Sequence, residues 1–199
     1  MTDSKEHILT ISLNLFIQKN FKEVTMNEIV EKTGLSKGAF YHYFKSKEQV
    51  FAEVIEHFYL DLIIIDYSNF SQDSLVKFYT EFLKMKSMKV ALLKSVIDTQ
   101  VKMNPGNNFL MIVDAMKMLP DFKKRYLEHQ KEELKAWTKI VHAAKKTGEI
   151  NSKMPDEMIA RLFIYVDSGK KLCHILTDDN KHKEETKLLW DGLYKELKK

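Results

Sequence analysis

Seven histidines and one cysteine are the residues of this 199-residue chain best suited to nucleophilic or metal chemistry, and their spacing favours neither. Cys173 and His174 are adjacent; on a helix, neighbours point about 100° apart, so they cannot face each other as nucleophile and base. A lone cysteine on an apolar helix face reads instead as a small core residue. The histidines at 7, 42, 57, 129, 142, 174 and 182 form no His-x3-His pair, and no Cys-x2-Cys pair or glycine-rich phosphate loop occurs. No metal, no cofactor and no enzymatic activity are expected. Chemistry of another kind is concentrated between residues 25 and 47. Thr25, Ser36, Lys37 and Lys47 offer hydroxyls, ammonium groups and helix N-terminal amides to phosphates. Gly38 and Ala39 lack bulk and let a helix sink into a DNA major groove, where Ala39 suits a thymine methyl. Tyr41, His42 and Tyr43 lie on successive faces, so one of the three turns away from DNA. Arginine occurs only at Arg125 and Arg161, so bidentate arginine-to-guanine contacts are not available to this segment.

The elements that position these residues are written into the same stretch. Thr25 is a good N-cap, and Glu28 three residues on completes a capping box, so a helix starts at Met26 with Ile29 and Val30 turned inward. Gly34 supplies the turn, Leu35 plugs the angle between helices, and Ser36 caps a second helix from Lys37 to about Tyr43. Phe40 and Phe44, four apart, belong to the core. This is a helix-turn-helix, with the motif at residues 26–45 and the second helix as the reader.

The run from Leu35 to Glu48 resembles the signature of the tetracycline-repressor-like (TetR) family of one-component bacterial regulators. The resemblance extends back through Ile8, Leu15, Phe16 and Phe21 and forward to Val50 and Phe51, about the first third of the chain. It departs from the family at Asn20, where glycine is usual after the first helix, and at Val30, where alanine is usual. Asparagine tolerates the left-handed conformation better than other non-glycine residues, so the helix end survives. The resemblance implies Tyr41 and Tyr43 at the DNA backbone or groove, His42 as a variable position, and terminal helices that pack against a second copy as a four-helix bundle.

Beyond residue 47 the chain reads as helix after helix, without a strand pattern or repeat, and the fold class is all-α. Residues 1–47 form the DNA-binding domain, 48–69 a connecting helix, and 70–199 a ligand-binding and dimerisation domain. Ser71 or Asp73 caps the next helix, Asn104-Pro105-Gly106-Asn107 breaks the pattern before a short helix from about Asn108, and Pro120 opens a long helix ending near Gly148. Ile159, Leu162, Val166, Gly169 and Cys173 form one stripe near the end of the chain, and Leu189, Gly192, Leu193 and Leu197 a second. Either stripe serves a dimer interface or simply the core of one monomer. Tyr79, Met103, Phe109, Met116, Trp137, His142 and Phe163 are candidates for a ligand pocket.

Composition sets the remaining bounds. Hydrophobic residues at 44% and charged residues at 30% are ordinary for a globular protein. The net charge of +4 permits nucleic-acid binding without arguing for it. No apolar run spans a bilayer and no signal-peptide pattern opens the chain, so a cytoplasmic location without a membrane partner is expected. The combined expectation is a homodimeric, ligand-responsive regulator, a repressor released from palindromic double-stranded operator DNA by an apolar or amphipathic molecule. The alternatives are a helical ligand-binding or interaction module that does not bind DNA, and a helical enzyme or lipid carrier.

Overall fold

Capping and proline placement divide the chain into helices at nearly the expected points. The computed structural model describes residues 3–102, 104–177 and 185–199, and among these every regular element is helical. α1 is Asp3–Lys19, α2 Met26–Thr33, α3 Lys37–Tyr43 and α4 Lys47–Val54. A π-helical turn, Ile55–Tyr59, joins α4 directly to α5, Leu60–Ile63, and a short 3-10 turn follows at Tyr67–Asn69. Then come α6 Leu75–Val96, α7 Pro105–Met118, α8 Pro120–Lys146, α9 Asp156–Thr177 and α10 Glu185–Leu197.

Three details differ from the sequence expectation. The helical run after Lys47 ends at Ile63 and does not reach residue 69; its last carbonyl partner is Leu60, which accepts from Ile64 at 2.9 Å. Asn104-Pro105 starts a helix where a break was expected. The Asn104 side chain accepts from Gly106 N–H at 2.9 Å, and Pro105 takes the first helical position, where its missing N–H costs nothing. α6 is capped by neither Ser71 nor Asp73. Ser74 precedes it, and the Glu149 carboxylate accepts from the N–H groups of Leu75 at 2.8 Å and Val76 at 3.1 Å, a cap supplied from far along the chain.

The chain divides into two units, residues 1–64 with 89–126, and residues 65–88 with 127–199. The divisions fall between α5 and the 3-10 turn, within α6 and within α8. The first unit buries Ile8, Leu9, Leu13, Phe16, Phe40, Phe44 and Phe51 together with Leu93, Ile97, Met111, Ala115 and Phe122 from later in the chain. Polar side chains bind those later segments to α1. Asn107 Nδ2 donates to the carbonyls of Ile17 at 3.1 Å and Gln18 at 2.9 Å, and Asn14 Oδ1 accepts from Asp98 N–H at 3.1 Å. The second unit is built round aromatic rings. Phe78, Tyr79, Phe82, Trp137, Phe163 and Trp190 are all buried, and the Trp190 indole N–H donates to the Phe163 carbonyl at 2.9 Å.

Candidate nucleic-acid interface

Each bend of the reading head is closed by a local hydrogen bond. Asn20 ends α1 at φ +72°, and its side chain accepts from Lys22 and Glu23 N–H at 3.0 and 3.3 Å, so the helix end survives without glycine. Thr25 Oγ1 accepts from Glu28 N–H at 3.2 Å. The Glu28 carboxylate is held by Lys19 at 2.5 Å; that hydrogen bond first, with a smaller contribution from the Thr25 backbone, keeps its carboxyl below the ordinary value. Gly34 ends α2 at φ +67°, a conformation in which a side chain is strained, and its N–H reaches the Glu31 carbonyl. Ser36 Oγ then accepts from Ala39 N–H at 3.2 Å and starts α3. Val30, the larger residue, is buried in the head core.

This geometry sorts the candidate contacts. Thr25, Ser36, Lys37, Gly38, Ala39 and His42 are exposed, whereas Tyr41 and Tyr43 are half-buried and lean on the head core. Phe40 and Phe44 are fully inside, as their spacing requires. His42 is therefore the most outward of the three central residues, edge-on to Tyr43 with ring centroids 5.3 Å apart. Lys47 is set differently. Its ammonium donates to the carbonyls of Phe21 at 2.8 Å and Val24 at 2.7 Å and lies 4.3 Å from the Phe21 ring centroid, so two of its three protons are already engaged. Lys45, which sequence reasoning passed over, caps α3 by donating to the Tyr41 carbonyl, and Ser46 caps α4 through Gln49 N–H at 3.2 Å. The Ser-x-x-Gln spacing at 46–49 was the available signal. Both arginines are committed to carboxylates, Arg125 to Glu56 at 2.9 Å and Arg161 to Glu157 at 2.6 Å.

The candidate pocket residues are not one group. Tyr79, Trp137 and Phe163 come together, fully buried, with Trp137 stacked on Phe163 at 5.2 Å and Tyr79 at 5.9 Å. Phe109, 40% exposed, and Met116 belong to the first unit, and Met103 lies outside the described residues. His142 is on the surface, its Nδ1 2.9 Å from Asp156 Oδ2. Periodicity identified apolar residues but not which unit they serve.

The terminal stripes need correction. Ile159 and Leu197 face inward and are buried in their own unit, with Val166 and Leu193 packed against the same core. Leu162, Gly169, Cys173, Leu189 and Gly192 face outward. Cys173 is therefore a surface residue and not the core residue expected, because α9 buries the face bearing Ile159, Ala160, Phe163 and Asp167. Large apolar side chains share the outward side: Met158, Tyr165 and Leu172 on α9, and Leu188, 71% exposed, on α10. A methyl group added at Gly169 or Gly192 would meet nothing within 4 Å, so neither glycine serves close packing inside the protomer.

Among the described residues no group of three or more His, Cys, Asp or Glu could hold a metal, and no helix is long and apolar enough to cross a membrane.

Residues 8–54 match the family described as bacterial regulatory proteins, tetR family. The uncharacterized HTH-type transcriptional regulator YerO of Bacillus subtilis (strain 168) is 38% identical over 42% of this chain and 29% of its own length. The HTH-type transcriptional repressor NemR of Escherichia coli (strain K12) is 35% identical over 29% of each chain. The alignments thus span under a third of either relative. Likeness of fold runs further: the crystal structure of the reduced form of E. coli NemR gives a TM-score of 0.59, covering 96% of this chain and 97% of that one at 13% identity. The capped head, residues 8–54, is thus matched in sequence to the tetR family of bacterial regulatory proteins, and the rest of the chain is matched in fold alone.

Proposed function

We propose that this protein is a sequence-specific DNA-binding regulator, a repressor that leaves a palindromic operator when a small molecule binds its second unit. The observation that carries this reading is the outer face of α3, where Lys37, Gly38, Ala39 and His42 are exposed while Phe40 and Phe44 anchor the helix from behind. Such a face fits a major groove with little obstruction, and its lysine favours phosphate contacts before base contacts. Thr25, Ser36, Tyr41 and Tyr43 flank it, and Lys47 adds its remaining proton while holding the turn after α1. The name of NemR, a transcriptional repressor, supports the direction of regulation.

Two copies joined through the outward face of α9 and α10 would set two α3 helices into successive major grooves, about 34 to 36 Å apart. The dimer contacts on this reading are Leu162, Gly169, Cys173, Leu189 and Gly192, with Met158, Tyr165, Leu172 and Leu188 beside them. An effector works by binding unequally to DNA-competent and DNA-incompetent forms of the dimer.

The test is gel retardation of a DNA fragment from upstream of the protein's own gene, across a salt series. Binding that outlasts excess unrelated DNA and weakens steeply with salt is the expected result. Leu189→Asp should abolish dimerisation in sedimentation and retardation together. An intact chain that stays dimeric but shows no preference for any upstream fragment would favour a ligand-binding module without a DNA role.

A further inference from the structure

Reading a base sequence takes a side chain that ends in a donor or acceptor, reaches the groove and is not already bonded within the protein. Most polar groups of the reading head fail one of these conditions. The Lys45 ammonium is committed to the Tyr41 carbonyl, and that of Lys47 to the carbonyls of Phe21 and Val24. Thr25 and Ser36 use their side-chain oxygens to cap α2 and α3. Tyr41 and Tyr43 are half-buried against the head core, with Tyr41 edge-on to Phe40 at 5.8 Å. Neither arginine lies in the head. Two side chains of α3 remain, Lys37 and His42, and both are exposed.

Helix geometry separates these two. At about 100° per residue, Gly38 and Ala39, four and three positions before His42, share its face, whereas Lys37 is turned to the flank that carries Tyr41. The face ahead of the imidazole is bare: a methyl group added at Gly38 would meet nothing within 4 Å, and Ala39 carries a single methyl. The helix can therefore approach base edges until the His42 ring meets them. Tyr43 stands edge-on to that ring, 5.3 Å between centroids and 82° between planes, and itself leans on the head core. Among the described residues neither ring nitrogen of His42 has a hydrogen-bond partner. An imidazole backed by its neighbour and unbonded at both nitrogens has its N–H available to a base edge.

We propose that His42 is the specificity-determining residue of the head and that it reads guanine in the major groove. The edge of guanine there presents two neighbouring acceptors, N7 and O6, so an imidazole N–H directed at it meets an acceptor on either side. Adenine sets its N6 donor beside N7 and opposes a second donor at that place. Thymine offers O4 next to a methyl group, and cytosine presents only its N4 donor. Lys37, on the flank, contributes charge toward phosphate and carries no preference among bases. This role for His42 presupposes that the protein binds DNA as a regulator, and it adds which residue tells one operator from another and by which base pair.

The experiment is selection of binding sites by the full chain from duplexes with a randomised core, followed by affinity measurements on the recovered site. Each half-site should hold a guanine whose replacement by adenine weakens binding about tenfold. Inosine, which keeps N7 and O6 and lacks the minor-groove amino group, should bind as guanine does. His42→Ala should bind the guanine and adenine forms equally, and His42→Gln should reverse the preference, because Gln pairs with adenine N6 and N7. Since His42 is exposed, both substitutions leave the core untouched. Lys37→Ala should weaken every form alike and keep the preference for guanine. A guanine preference that persists in His42→Ala, one that disappears in Lys37→Ala, or weak binding of the inosine form would each overturn the role of His42 while leaving DNA binding intact. Enrichment of no sequence at all would defeat the regulator reading, and this role with it.

Discussion

The two units solve the same problem of burying helices in opposite ways. In the first, the buried polar side chains are uncharged, Ser12, Asn14, Thr33 and Asn107, and the caps of the reading head are satisfied by partners two or three residues away, as at Asn20, Thr25 and Ser36. In the second, carboxylates are drawn in and satisfied from far along the chain: Glu149 caps α6 across 73 to 75 residues and Asp167 holds Lys86 across 81. Local satisfaction sets the turns of the reading head from a few neighbouring residues each. Distant satisfaction makes an interior that loses stability when one partner of a buried charge pair is removed without the other.

The contrast is sharpened first by repair experiments in urea unfolding. Phe51→Ala should cost about 3–5 kcal/mol, and no second substitution nearby should restore it. Asp167→Ala should cost about 3–5 kcal/mol by leaving Lys86 buried without its partner, but Asp167→Leu with Lys86→Met should recover most of the loss. Were the double variant as unstable as the single, the charges would be integral to folding and the proposed contrast would fail. Next is pH. Burial, with Lys171 beside it, brings the Lys86 ammonium down to about 8 against the pull of Asp167. Because the unfolded chain keeps that proton up to the ordinary value of 10.5, unfolding stability should rise with pH between about 8 and 10.5, as urea unfolding across that range would record. A smaller effect is expected in the head, where Ser36→Ala removes one cap and should cost about 1 kcal/mol of unfolding stability. Smallest is Lys37→Ala, which should leave stability unchanged and reduce the salt slope of operator binding by about one unit. A larger fall in stability than in salt slope would show that Lys37 holds the head together and does not contact phosphate.

What could be read in the sequence follows the same division. The turn at Gly34, the caps at Thr25 and Ser36 and the inward Phe40 and Phe44 were legible because each depends on residues within a few positions. The long helices were legible from proline and glycine, although Asn104-Pro105 was taken for a break because a break and an N-terminus use the same residues. Lys86, Glu133 and Asp167 were not legible: each is an ordinary helix-surface residue until α6, α8 and α9 come together. The inward and outward faces of α9 were confused for a related reason. Ile159 and Leu162 are three apart and read as one stripe, but one is buried and the other 37% exposed, since the helix carries apolar residues round more of its circumference than one neighbour covers.

The side-chain amide of Asn107 holding the carbonyls of Ile17 and Gln18 bears on how the protein is made. The head is usually pictured as a module finished once its own three helices exist. Here the end of α1 receives its hydrogen bonds from a residue 90 positions later, and Phe122 completes the same core. At a translation rate of about 5–20 residues per second, the roughly 60 residues between Ile64 and Tyr126 take about 3 to 12 s to emerge. For that interval the nascent head lacks part of its core, and a fragment cut after Ile64 would lack it permanently. The DNA reader is first in the chain and among the later parts to be completed.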